Sequence, residues 1–199
     1  MSQPASLLAR SDDRAIVRAL REGHPAAKVE LFDRYVGHVE RILVRVLGQD
    51  AELADLLNDV FVRSLSAIDT LEAPEALKAW LTGIAVFTAR ECIRRRIRSR
   101  WLRFSAPEEL PDVEGAAADD EGREALRATY VVLNRLGADD RIPFALRYVE
   151  GLELRDVAAA CGVSLNTVKR RLARAERRFS ALAAREPALR TWNGRGTRW

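Results

Sequence analysis

"GLELRDVAAACGVSLNTVKRRLARAERRF", residues 151–179, is the stretch that decides how this chain is read. Leu154, Val157 and Ala158 recur on one side of a short helix. Cys161-Gly162-Val163 then supplies a tight turn, with Gly162 free to take positive φ. Ser164 is a good N-cap for a second helix. Val168, Leu172, Ala175 and Phe179 mark that helix's buried face at steps of four, three and four. Its opposite face holds Asn166, Thr167, Lys169, Arg170, Arg171 and Arg174. Two short helices joined this way, the second polar and basic, predict a helix-turn-helix.

The physics of that arrangement suits DNA. A helix fits the major groove, residues near its N-terminus reach base edges, and later cations meet phosphate. Each phosphate contact releases condensed counterions. Ser164, Asn166, Thr167 and Arg170 are therefore candidate base readers, and Lys169, Arg171 and Arg174 candidate phosphate clamps. A merely solvated charged face would not combine the turn, the cap, the apolar stripe and the charge asymmetry.

Composition agrees with a polyanionic partner. The 199 residues are 48% hydrophobic, enough for a packed core, and carry a net charge of +4. The charge is patchy: 90–103 and 169–178 are strongly basic, whereas 108–124 is acidic. Cys92 and Cys161 lie far apart, and His24 and His38 have no partners at metal-site spacing, so no metal or other cofactor is expected. The two cysteines read as small apolar fillers in a reducing compartment. The first residues hold no apolar stretch long enough for a signal peptide, and no segment approaches about 20 consecutive apolar residues. A cytoplasmic protein without membrane insertion is the expectation.

Helical periodicity dominates the rest of the chain. A short helix fits 13–21, closed by Gly23. Pro25 then opens a long one with Phe32, Val36, Val39, Leu43 and Val46 as its stripe, ended by Gly48. Asp50 can cap a third helix that buries Leu53, Leu56, Leu57, Val60, Phe61, Leu65 and Ile68. Glu52, Asp55 and Asp59 share another side of it, which reads as a solvated acidic face. Pro74 opens a fourth, with Leu77, Trp80, Leu81, Ile84 and Thr88 inward, running into the basic "RECIRRRIRSRWLR" of 90–103. Periodicity stops at Phe104: "SAPEELPDVEGAAADDEG" is Pro-, Gly- and acid-rich, as a flexible linker is. It resumes at Arg123, closes at Gly137, and starts again with Asp139 or Asp140 as cap and Pro143 in the first turn. The tail from Pro187 reads as disordered.

The expected fold is thus all-α. It comprises a helical domain over 10–103, a flexible acidic linker over 104–122, a helix-turn-helix domain over 123–186 and a disordered tail over 187–199. No nucleophile–base pair or phosphate-cradling glycine loop stands out, which speaks against an enzyme.

Residues 147–179 resemble region 4 of bacterial RNA polymerase sigma factors of the sigma-70 family, extracytoplasmic-function (ECF) type. "AELADLLNDVFVRSL" (51–65) is similar to the region 2 segment that docks on the polymerase. "ALKAWLTGIAVFTARECIRRRIR" (76–98) is similar to the segment that melts the promoter and reads its −10 element. Both matches sit in the family's order. The resemblance implies a transcription initiation factor that binds core RNA polymerase and promoter DNA and is restrained by an anti-sigma factor. It implies polymerase contacts from Glu52, Asp55, Leu56, Asn58, Asp59 and Phe61, with Asn58-Asp59 standing where the family usually has Gln-Glu. It implies −10 contacts from Lys78, Phe87, Arg90, Arg94, Arg95 and Arg96, and −35 contacts from the helix-turn-helix. Region 2 departs from the family at Thr82, Gly83, Val86 and Phe87, which bears on −10 preference and melting. Phe87 has two readings: core packing, which its apolar neighbours favour, or stacking on an unpaired base. A stand-alone helix-turn-helix regulator is the alternative, against which the docking segment argues.

Overall fold

The computed structural model describes residues 12–102 and 120–193, and among them there is no strand. The N-terminal part is built from α1 (Asp13–Arg21), α2 (Pro25–Leu47), α3 (Leu53–Ala67) and α4 (Leu77–Leu102). The C-terminal part is α5 (Asp120–Asn134), α6 (Ala138–Phe144), α7 (Leu154–Cys161), α8 (Leu165–Ala183) and α9 (Pro187–Asn193). The chain is all-α, with one helical domain on each side of the residues between α4 and α5.

The long helix α2 is the spine of the first domain. Pro25 stands in its first turn, and Gly48 leaves it at φ 79°. Its fully buried stripe is Leu31, Val39, Ile42, Leu43 and Val46, whereas Phe32 is 42% exposed, outside the core the sequence assigned it to. Against it pack Val60 and Leu56 of α3 and Leu77, Leu81, Ala85, Val86 and Ala89 of α4. Trp80 is half-buried against this cluster, and Thr88 is buried, as their spacing predicts. Arg21 at the end of α1 donates Nη2 to the Leu71 carbonyl, tying down the turn between α3 and α4. The N-cap of α3 is Glu52, and Asp50, expected in that place, stands two residues earlier: its Oδ1 accepts from Glu52 N–H at 2.9 Å and shapes the turn that leads into α3.

The second domain corrects the sequence reading in four places. Helix α5 starts at Asp120, inside the span assigned to the linker; the rest of that linker, 103–119, lies outside the described residues. Gly137, not Asp139 or Asp140, is the N-cap of α6, because both acids lie within the first turn with their carboxylates turned to arginines. Pro143 sits in the second turn, and a wider turn with i→i+5 bonding, Ala145–Val149, follows it. A proline there cannot donate to the carbonyl four residues back, so the helix is already irregular where that turn begins. Pro187–Asn193, expected as disorder, is helical, with Leu189 buried on Ala125, Val132 and Ala183. The remaining tail, 194–199, lies outside the described residues.

One continuous buried cluster runs from α1 through α4 and on into α5–α8, so the two domains pack directly on each other.

Candidate nucleic-acid interface

The turn between α7 and α8 is made as its residues predict. Gly162 adopts φ 65°, ψ 38°, and the N–H groups of Gly162 and Val163 bond back to Ala159 and Ala158 carbonyls, each at 3.1 Å. Ser164 Oγ accepts from Thr167 N–H at 3.2 Å and lies 3.0 Å from Thr167 Oγ1. The cap therefore uses both hydroxyls assigned to base reading. Val168, Leu172 and Ala175 are buried, and Phe179 stacks on Phe144 with centroids 4.8 Å apart. This fixes which side of α8 faces out.

On that outer side Asn166, Lys169 and Arg170 are exposed and form no ion pair with another described residue. Arg177, which the sequence reading did not assign, lies two turns beyond Arg170 and is equally exposed and unpaired. Its signal was the seven-residue spacing. The remaining cations are anchored. Arg174 grips the Asp140 carboxylate with Nε at 2.8 and 2.9 Å, and Arg178 reaches it at 3.3 Å. Arg171 pairs with Asp139 at 3.4 Å. Asp140 is only 3% exposed, so this pairing holds α8 on α6. Donating to the Asp140 carboxylate raises the Arg174 pKa above its ordinary value.

On α4 the sequence-assigned residues fall into two groups. Lys78 is exposed, and Phe87 is 47% exposed rather than in the core, with the Arg63 guanidinium 5.3 Å from its ring centroid. Arg63 also bonds Asp59 of α3 at 3.2 Å and Glu91 at 2.8 Å. The basic run beyond is occupied by partners. Arg96 bonds both Asp50 and Glu52, Arg95 bonds Glu52 at 2.9 Å, Arg94 pairs with Asp139 at 3.6 Å, and Arg90 donates to the Cys161 carbonyl at 3.1 Å. Burial alone would push the Asp50 carboxyl up, but bonds from Arg96 and the Glu52 amide hold it below the usual range. Glu52 is held low chiefly by Arg96. Two of the four departures from the family pattern, Thr82 and Val86, are buried. Thr82 donates to the Lys78 carbonyl at 2.9 Å and lies 2.8 Å from His38 Nε2. Gly83 and Phe87 are left to alter the surface.

On α3, Asp55 and Asn58 are exposed, Asp59 is half-buried on Arg63, and Val62, one turn past Asn58, is 52% exposed. These four share one face. Leu56 and Phe61 are buried, at 6% and 5%, and Phe61 meets Phe32 at 4.9 Å between centroids. They hold α3 in place, and Glu52 is turned to the α4 arginines. Val62 was missed because its period also fits a solvated position.

The described residues contain no cluster of side chains able to hold a metal, and no helix among them is long and apolar enough to cross a membrane.

Residues 31–102 match the sigma-70 region 2 family, and 126–179 match sigma-70 region 4. The ECF RNA polymerase sigma factor SigC of Mycobacterium tuberculosis is 34% identical over 145 residues, covering 72% of this chain and 76% of SigC. Among solved structures, CnrH in complex with the cytosolic domain of CnrY matches with TM-score 0.60 at 23% identity, over 88% of this chain and 99% of CnrH. The sigma factor RpoE in complex with the anti-sigma factor NepR, from Bartonella quintana, matches with TM-score 0.58 at 24% identity, over 76% of this chain and 92% of RpoE. With both regions present in order around a capped, basic helix-turn-helix, the chain belongs to the sigma-70 family of RNA polymerase sigma factors, as a member of the ECF type.

Proposed function

We propose that this chain initiates transcription by docking core RNA polymerase through the outer face of α3, engaging the −10 element through α4 and the −35 element through α8. The observation that carries this reading is the presence of both sigma-70 regions on one chain, each with an exposed face of the right chemistry. Asp55, Asn58, Asp59 and Val62 form the acidic and apolar docking face, with Phe32 beside it. Asn166 and Arg170 read bases, Lys169 and Arg177 meet phosphate, and the Ser164–Thr167 cap orients the first turn of α8. On α4, Phe87 stacks on an unpaired base once Arg63 moves off its ring.

Strand opening in this scheme is differential binding: unstacked single-strand bases are held better than duplex, and the equilibrium shifts accordingly. The chain performs no covalent chemistry and acts in the cytoplasm. An anti-sigma factor restrains it, as one is bound to the similar RpoE. The test is run-off transcription from a genomic fragment library with purified core polymerase. New start sites are expected with the wild-type chain, and Asp55→Arg should lose at least tenfold in retention on polymerase while keeping its helical circular dichroism. No new start site on any template, with no inhibitor bound, would refute the assignment.

A further inference from the structure

Phe87 leaves an aromatic ring on the outside of α4, and its neighbours have complementary chemistry. Gly83 stands one turn before it and Glu91 one turn after, so the three share a face of the helix. Above Gly83 is open space: a Cβ placed there would meet nothing within 4 Å. Glu91 is the single acid of α4, where every other charge is positive. Its half-exposed carboxylate accepts from Nη2 of Arg63 on α3 at 2.8 Å. Arg63 also donates Nε and Nη2 to Asp59 at 3.3 and 3.2 Å, and its guanidinium carbon lies 5.3 Å from the Phe87 ring centroid. These bonds use Nε and Nη2, so Nη1 is left for a further acceptor. A bare backbone position, an aromatic platform, a carboxylate and a guanidinium fork thus meet at one place on the surface.

A carboxylate on a helix that meets nucleic acid opposes the phosphate charge, so its presence asks for a gain elsewhere. Fastening α3 to α4 does not supply it. Arg63 already has Asp59 on its own helix, and α3 is anchored by the buried Leu56, Val60 and Phe61. A base lying on Phe87 gives a different account. Glu91 stands about 5.4 Å along the helix from Phe87, close to the width of a base, so the edge of a stacked base reaches its carboxylate. Arg63 then shifts from the ring to that same edge, still tied to Asp59. Guanine is the one DNA base with two donors side by side, N1–H and N2–H2, next to an acceptor, O6. A carboxylate accepts both donors in parallel, and an arginine donates to O6. Adenine and cytosine offer the carboxylate one amino group, and thymine one ring N–H. With that edge toward Glu91, the second ring of the purine points back over Gly83, where there is room for it.

We infer that Glu91 and Arg63 select guanine as the unpaired base held on Phe87, with Gly83 giving the purine its space. This rests on the stacking role proposed above for Phe87 and names the base it takes. The test titrates the full chain, free and with core polymerase, against short labelled single-stranded oligothymidylates. Each carries one central guanine, adenine, cytosine or inosine, with the all-thymine strand as reference. Inosine is guanine without its N2 amino group, so that comparison needs no variant. The wild type should bind the guanine strand about fivefold more tightly than the adenine, cytosine or thymine strand, and about threefold more tightly than the inosine strand. Glu91→Gln should erase the guanine–inosine gap, even where the lost negative charge tightens binding to every strand. Arg63→Lys, which keeps the charge but not the fork, should lower the preference for guanine and retain the inosine gap. Phe87→Ala should weaken all strands by at least about fivefold. Circular dichroism checks that each variant keeps its helices. A Glu91 that acts only through its charge or by holding α3 would change affinity for all strands alike and leave the guanine–inosine ratio where it was. No guanine preference in the wild type, free or with polymerase, overturns the inference, as does a preference that survives Glu91→Gln unchanged. New start sites without a base preference overturn it and leave the initiation role standing. A guanine preference in a chain that never binds core polymerase supports the base site and refutes that role.

Discussion

Helices α4 and α8 carry nearly the same chemistry and are left in different electrostatic states. Each has a dense run of arginines with a lone glutamate among them: Arg90, Arg94, Arg95, Arg96 and Arg98 around Glu91, and Lys169, Arg170, Arg171, Arg174, Arg177 and Arg178 around Glu176. On α4 the run meets Asp50, Glu52, Asp139 and a backbone carbonyl, and only Arg98 is exposed without an ion pair to another described residue. On α8 Lys169, Arg170 and Arg177 face solvent unpaired, while Arg171, Arg174 and Arg178 turn to Asp139 and Asp140. Arginine density alone therefore does not mark a phosphate-binding face. The acceptors that other elements bring within about 4 Å of each guanidinium decide its role.

Arg96→Ala gives the sharpest break of that comparison. It strips the bonds from Asp50, whose side chain is 8% exposed, and should cost about 2–3 kcal/mol, a fall in melting temperature of roughly 5–10 °C. Because the Asp50 and Glu52 carboxyls are held low in the fold, their contribution is present at neutral pH and disappears as pH falls below about 4; the variant should lose that acid-sensitive part. Its salt slope for DNA should stay unchanged, and a reduced slope would return Arg96 to the DNA face. Lys169→Ala, at a phosphate contact, should behave in the opposite way: thermal stability kept, affinity for a −35 duplex down by about tenfold, and the log–log salt slope shallower by about 0.9. Titrations at several salt concentrations check both.

Ser164→Ala sharpens the comparison at the level of the helix end. Helix α8 has a side-chain cap and α3 has none. The substitution should cost about 1 kcal/mol in denaturant unfolding and weaken −35 binding through the first turn of α8. The smallest effect concerns His38, which lies between α2 and α4. Arg41 donates to its Nδ1 at 3.3 Å, leaving Nε2–H to donate to Thr82. Burial first, then Lys78 and Arg41, lower its pKa, so the unfolded chain binds a proton that the folded chain refuses. Stability should fall as pH drops below about 6.5. His38→Gln should abolish that slope.

Much of the fold was legible where a feature is local. Pro25, Gly48, Gly162 and Ser164 act within one turn of their own backbone, and each stands where its chemistry predicts. Features that depend on distant neighbours were misread or missed. Phe87 looked like core among apolar neighbours, yet it is 47% exposed with the Arg63 guanidinium over its ring. Asp139 and Asp140 looked like caps because that is the local use of acids at a helix start, but arginines from α4 and α8 claim them. Helix α9 was invisible because seven residues have no helical signal without the apolar floor that receives Leu189.

Residue order alone established an all-helical chain with a helix-turn-helix near its end, a family, and a surface prepared for a polyanion. Periodicity, caps and turns are short-range, and a one-dimensional string carries them in full. Which arginines stay free, which face of α3 is open, and how Tyr130 and Arg141 close the end of α2 were set by long-range packing. Those outcomes depend on pairs more than 30 residues apart, such as Arg174 with Asp140, Arg96 with Asp50 and Arg141 with Val46, and no spacing rule along the chain encodes such a meeting.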